Sequence, residues 1–271
     1  MIHQVLVATL FLVTSAAPLP FELRGDATQG GMMQGQVPAG TEIRLDGQPV
    51  RVHPDGHFVF GFSHDAPENA VLSFTWPDGD TDEHALTVKQ RRYDEQHVKG
   101  LPPKKVTPPA HVQARLTDER GRVRAARNIA SDHEHWLGGF IWPAEGRVTG
   151  VYGSRRVLNG IPKWPHLGLD VAAPAGTEVR APAAGTVLLA HADFYYEGGI
   201  VIIDHGYGVS STLFHLQSVD VEEGQSVAQG DRIGAMGATG RATGSHVDWR
   251  VNWHQVRLDP ALLVSGEPKA P

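Results

Sequence analysis

The stretch "GSHVDWRV", Gly244 to Val251, places His246, Asp248 and Arg250 in alternation with Val247, Trp249 and Val251. On a strand, with its period of two, the first three share one face, so an imidazole and a carboxylate aim at one spot. A second stretch, "HLGLD", sets His166 four residues before Asp170, and Gly168 between them permits close approach of the backbone. A third, "STLFHL", ends an apolar strand on His215. Imidazole and carboxylate are both ligand types for Zn²⁺. Taken singly, each is a weak signal: the H-x-x-x-D pair reads first as a surface loop, and a lone His215 first as a structural histidine. Together they supply three ligands and two further histidines. That is what metal-assisted hydrolysis needs: three ligands, an open water position and a general base nearby. The chain has no cysteine, so a metal must be held by His, Asp or Glu.

Other chemistries fit less well. "DHEHW", with His133 and His135, lies in a polar helical stretch where residues two apart face different sides, which favours a solvated or capping role. "GATGRATG" is glycine-rich but lacks a Gly-Lys-Ser/Thr ending, so it is not a phosphate cradle. There is no G-x-S-x-G elbow for a serine hydrolase. A net charge of −6 gives no basic footprint for nucleic acid and no polybasic membrane anchor.

The elements that must position these residues are strands. "GRVTGVYG", "GTEVRAPAAGTVLLAHA", "GGIVIIDHG", "VSSTLFHL" and "DRIGAMG" are short β-branched runs divided by glycine turns, which makes residues 139–264 an all-β unit. Residues 21–90 carry alternating strands with Asp-Gly turns and read as a small β-sandwich. Between them, residues 91–138 read as a charged, proline-rich linker followed by polar helices. Residues 1–17 hold an apolar run from Val5 to Val13 followed by Ser15, Ala16 and Ala17. This is the pattern of a secretory signal peptide, its basic start absent, and the run is too short to span a bilayer. The expected location is therefore secreted or periplasmic, with no transmembrane span in the mature protein.

"GVYGSRRVLNGIPKWPHLGLDVAAPAGTEVRAPAAGTVLLA", "IDHGYGVSSTLFHL" and "VEEGQSVAQGDRIGAMGATGRATGSHVDWRV" follow one another in register. They resemble the LytM/lysostaphin-type zinc endopeptidases, peptidase family M23, over about Phe140 to Asn252. The strand patterns make the chain all-β with minor α content, and the resemblance implies that its C-terminal part is a mostly antiparallel sheet of the duplicated hybrid motif-like type. It also implies one Zn²⁺ and cleavage of peptides in bacterial peptidoglycan. Carried over by position, His166 and Asp170 become metal ligands, and His215 and His246 the catalytic histidines. His205 belongs to the pattern without being a ligand.

Two positions depart from the family. Asp248 stands where relatives have the third ligand, the second histidine of an H-x-H pair, and Leu213 stands where many have tyrosine. A carboxylate reaches Zn²⁺ at about the same distance as imidazole, roughly 2.0–2.2 Å. Its charge lessens the acidification of bound water, and the oxygen-rich set loosens the preference for zinc over manganese. The resemblance thus implies a metal-dependent peptidoglycan endopeptidase. The alternative is a non-catalytic LytM-like module that binds cell wall or activates hydrolases.

Overall fold

The computed structural model describes residues 21–101 and 103–270; the leader read in residues 1–17 lies outside them. The alternating runs at the N-terminal end form two small sheets. Glu22–Gly25, Met32–Gln36 and His57–Gly61 make one, with Met32–Gln36 in the centre. Gln48–Val50, Glu42–Leu45, Asn69–Thr75 and Thr81–Thr87 make the other, in that spatial order. Both contribute to one apolar cluster, where Met33, Phe58 and Phe60 meet Ile43, Leu72 and Phe74. Strand alternation produces this: in Asn69–Thr75, Ala70, Leu72 and Phe74 turn inward while their neighbours are more exposed.

The charged, proline-rich stretch that follows is not a free tether. Glu95–Val98 pairs in parallel with Arg155–Leu158, which fastens it to the C-terminal half of the chain. The helix Gln113–Arg127 then lies against that half. Its buried residues include Leu116 and Ala126, and the Glu119 carboxylate accepts the backbone N–H of Tyr195 at 3.0 Å. After it, His135–Gly138 is a 3₁₀ turn, so the rings of His133 and His135 stack with centroids 5.0 Å apart instead of facing opposite sides of a helix.

The C-terminal half is built on a ten-stranded antiparallel sheet. Its central path runs Gly185–Phe194, Gly198–Gly206, Val209–Val219, His246–Trp253, Leu169–Ala172 and Arg147–Gly150. The run "GGIVIIDHG" of Gly198–Gly206 is buried throughout because both faces are covered. Val201 and Ile203 enter the main core with Leu213, Val247, Trp249 and Val251. Ile200 and Ile202 turn the other way, against Phe214 and Ala126 of the helix. A strand covered on both faces reads as an unbroken apolar run. The fold is mostly β with a minor helical part. No helix among the described residues is long and apolar enough to cross a membrane.

Candidate metal centre

Two neighbouring strands set the centre. Leu169–Ala172 and His246–Trp253 run antiparallel with Asp170 directly opposite Asp248, and Val209–Val219 on the far side places Phe214 opposite Asp248. Leu169, Val171, Val247, Trp249 and Val251 all enter the main core. By the two-residue period, Asp170, His246, Asp248 and Arg250 occupy the other face.

His215 reaches this face by breaking the period. Phe214 already faces the centre, so strict alternation would turn His215 toward the core. The backbone of His215 instead takes φ +66°, the left-handed region that non-glycine residues seldom occupy. The pairing with Gly198–Gly206 shifts register at the same place. The result is an imidazole beside that of His246, with ring centroids 4.7 Å apart. Strain of this kind persists where surrounding contacts hold it. Here the His215 backbone N–H donates to the Glu197 carbonyl at 2.8 Å, and Nδ1 donates to the Thr239 carbonyl at 2.8 Å.

His166, Asp170 and Asp248 converge, each offering one atom, with all three atoms within 4.8 Å of one another. His166 Nε2 lies 3.1 Å from Asp170 Oδ1 and 3.3 Å from Asp248 Oδ2. Neither contact has hydrogen-bond alignment: His166 Nε2 and Asp170 Oδ1 are both buried without a hydrogen-bond partner. Buried polar atoms are normally paired, and convergent orphans call for a group between them. His246 stands at the edge, Nε2 3.9 Å from Asp170 Oδ1, with Nδ1 donating to the Gly244 carbonyl at 2.9 Å. His215 and His246 therefore both keep an Nε2 lone pair in their neutral forms.

Each carboxylate also has its own guanidinium. Arg156 Nη2 donates to Asp170 Oδ2 at 2.5 Å, leaving Oδ1 free. Arg250 donates three hydrogen bonds to Asp248: Nε to Oδ1 at 3.0 Å, Nε to Oδ2 at 3.2 Å, and Nη2 to Oδ2 at 2.7 Å. Two glycines make the space. A Cβ on Gly168 would collide with Asp248 Oδ1 and crowd Arg250 Cγ, and one on Gly150 would collide with the Asp170 carboxylate.

These neighbours fix the charge states. Burial by itself would lower the His166 pKa, but the Asp248 and Asp170 carboxylates outweigh it and the value is raised. Burial would raise Asp170 and Asp248; His166 overrides it at Asp170, and Arg250 with His166 overrides it at Asp248, so both remain ionised. His215 is pushed down to about 4, chiefly by burial and then by His246, and is neutral at pH 7.

All five residues singled out from the sequence, His166, Asp170, His215, His246 and Asp248, thus come together at one place. Sequence reasoning gave no role to Arg156 or Arg250, although Arg250 shares the alternating face of His246 and Asp248. His205 sits elsewhere, fully buried, with Nδ1 donating to the Ala184 carbonyl and Nε2 meeting the Ser211 hydroxyl.

Residues 164–260, which contain all five, match the profile of peptidase family M23. This stretch is an M23 peptidase domain. Over 104 residues the chain is 39% identical to the peptidoglycan DD-endopeptidase ShyA of Vibrio cholerae, which covers 38% of this chain and 21% of ShyA. It is 36% identical, again over 104 residues, to the lipoprotein NlpD/LppB homolog of Pseudomonas aeruginosa, covering 38% of this chain and 33% of that protein. The similarity thus spans a fifth to a third of these curated relatives. The crystal structure of a candidate M23 peptidase from Pseudomonas aeruginosa superposes with a TM-score of 0.64 at 28% identity, over 88% of this chain and 95% of that one. The likeness there extends well beyond the M23 domain, into the N-terminal half of the fold.

The centre of this M23 domain fits a divalent ion. One imidazole and two carboxylates form a donor set suited to zinc or manganese, and the orphaned His166 Nε2 and Asp170 Oδ1 face the point such an ion would fill.

Proposed function

We propose that the chain is a metal-dependent endopeptidase that hydrolyses peptide bonds of bacterial peptidoglycan in a secreted or periplasmic setting. The observation that carries this reading is the convergence of His166, Asp170 and Asp248 on one point, with His166 Nε2 and Asp170 Oδ1 orphaned, beside two histidines whose Nε2 atoms are free. The DD-endopeptidase relative adds the substrate class.

His166, Asp170 and Asp248 would hold the ion, through His166 Nε2 and one oxygen of each carboxylate, with zinc the favoured metal. When bound, it supplies a Lewis acid and makes water acidic enough to serve as nucleophile near neutral pH. Arg156 and Arg250 draw charge from the two carboxylates, which offsets the loss of acidification expected when aspartate replaces histidine at position 248. One of His215 and His246 accepts the water proton at Nε2 while the other, as a donor, stabilises the oxyanion that develops on the scissile carbonyl. The Thr239 and Gly244 carbonyls hold the two Nδ1–H groups and so aim both Nε2 atoms at the reacting centre.

One observation favours a second reading, a non-catalytic cell-wall module: both oxygens of Asp248 already accept hydrogen bonds from Arg250. Metal analysis of the purified protein and digestion of cross-linked muropeptides separate the two. About one ion per chain with cleavage supports the endopeptidase. No metal and no cleavage after zinc or manganese is added supports the module.

A further inference from the structure

The M23 centre opens into a cleft of about 800 Å³ whose charge is one-sided. Its lining includes the cations Lys99, Arg120, Arg156, Lys163, Arg241 and Arg250 and a single carboxylate, Asp170. In a chain of net charge −6 this is a local reversal of sign. Arg156 and Arg250 are committed to Asp170 and Asp248. Lys99, Arg120, Lys163 and Arg241 have no ion pair within 4.0 Å among the described residues.

Arg241 is the most constrained of the four. Its backbone N–H donates to the Tyr196 carbonyl at 2.8 Å, and its guanidinium lies over the Tyr196 ring, 4.4 Å from the centroid. Stacking occupies the flat face of a guanidinium and leaves its edge donors open. Burial, with Arg250 and Arg156 nearby, lowers the Arg241 pKa; the opposing influence of Tyr196 and Glu197 is not enough to restore it. A partly buried, oriented and unpaired guanidinium on the wall that also carries Gly244, Ser245 and His246 is a receptor for an anion. The planar fork matches a carboxylate.

Resting on the hydrolase reading for its peptide class, we infer that the cleft selects peptides with a free carboxylate close to the scissile bond, and that Arg241 receives it. Lys99, Arg120 and Lys163 around the opening concentrate such anions without fixing their orientation. The carboxylate can be the α-carboxylate of a peptide terminus or a side-chain carboxylate; both present the same planar anion.

The test is calorimetric binding of synthetic stem peptides to the full chain. Three versions are compared: both carboxylates free, the terminal one amidated, and the side-chain one amidated. The free peptide is expected to bind about tenfold more tightly than at least one amide, the scale of a charge-assisted hydrogen-bonded pair. Whichever amide loses affinity locates the carboxylate. Arg241→Gln should bring the free and amidated peptides to within about twofold of each other, and Arg241→Lys should keep part of the preference. Unchanged thermal melting checks that both variants are folded. Equal affinities in wild type, or a preference that survives Arg241→Gln, overturns the inference. Binding is read without turnover, so an Arg241-dependent carboxylate preference in a protein that cleaves nothing sinks the hydrolase reading and leaves Arg241 as the carboxylate receptor of the cleft.

Discussion

Asp170 and Asp248 are direct cross-strand partners, both buried, and both carry a negative charge. Like charges opposite each other on a sheet destabilise it. Arg156 and Arg250 supply compensation, and the orphaned His166 Nε2 and Asp170 Oδ1 are left as the atoms a divalent ion would take up. The expected consequences follow from this balance.

Arg250→Met removes the cation that pairs with Asp248 and leaves a buried carboxylate facing another. Breaking such a pair costs about 3 kcal/mol. A bound divalent ion replaces part of the lost charge, so the rise in Tm on adding zinc should be larger in the variant than in wild type. Equal increments in the two proteins would mean that Asp248 and the metal do not interact.

Gly168→Ala introduces a methyl group into the space taken by Asp248 Oδ1 and Arg250 Cγ. Crowding of this kind costs about 1–3 kcal/mol and must move the carboxylate. The metal Kd should rise by about tenfold while circular dichroism is unchanged. An unaltered Kd would show that Asp248 has room to spare.

On the proposed mechanism, His215→Ala should abolish peptide cleavage and retain the metal, because the His215 ring lies beside that of His246 and is not part of the candidate three-ligand set. The paired readout is muropeptide turnover and metal content. Full activity would remove His215 from proton transfer, and loss of metal would make it a ligand.

His205 gives a pH dependence separate from the centre. Burial pushes its pKa down to about 4, against about 6.5 when unfolded. Between these values the unfolded chain binds the proton and the folded one does not. Its contribution is therefore complete above pH 6.5 and is lost progressively as pH falls toward 4. By pH 5 the loss is about 2 kcal/mol. Urea unfolding from pH 7.5 to 5 should show a steeper decline for wild type than for His205→Asn. Parallel curves would contradict the buried neutral state.

The alternation in "HVDWRV" was enough to put His246 and Asp248 on one face, because a strand's period is a local property. The pairing of Asp170 with Asp248 was not legible in the same way. It depends on register between strands 78 residues apart, which no local pattern records. Arg250 was visible as the third polar residue of the alternation, yet its role appears only once Asp248 is seen to be buried. Arg156 lies in the quoted "GSRR" and belongs to a separate strand whose partner, Glu95–Val98, reads as linker because it is charged and proline-flanked. The approach of His215 to His246 depends on a left-handed backbone that strand periodicity would not suggest. The two-sided burial of Gly198–Gly206, by contrast, is plain in its unbroken apolar run.

The most direct measurement is zinc affinity by equilibrium dialysis for wild type, Asp248→Asn and Asp248→Ala. Asparagine keeps the shape and removes the charge, while alanine removes the ligand altogether. With Asp248 holding the ion, wild type binds one zinc per chain and both variants bind at least about tenfold more weakly, alanine the weakest. Equal affinity in all three would take Asp248 out of the metal centre.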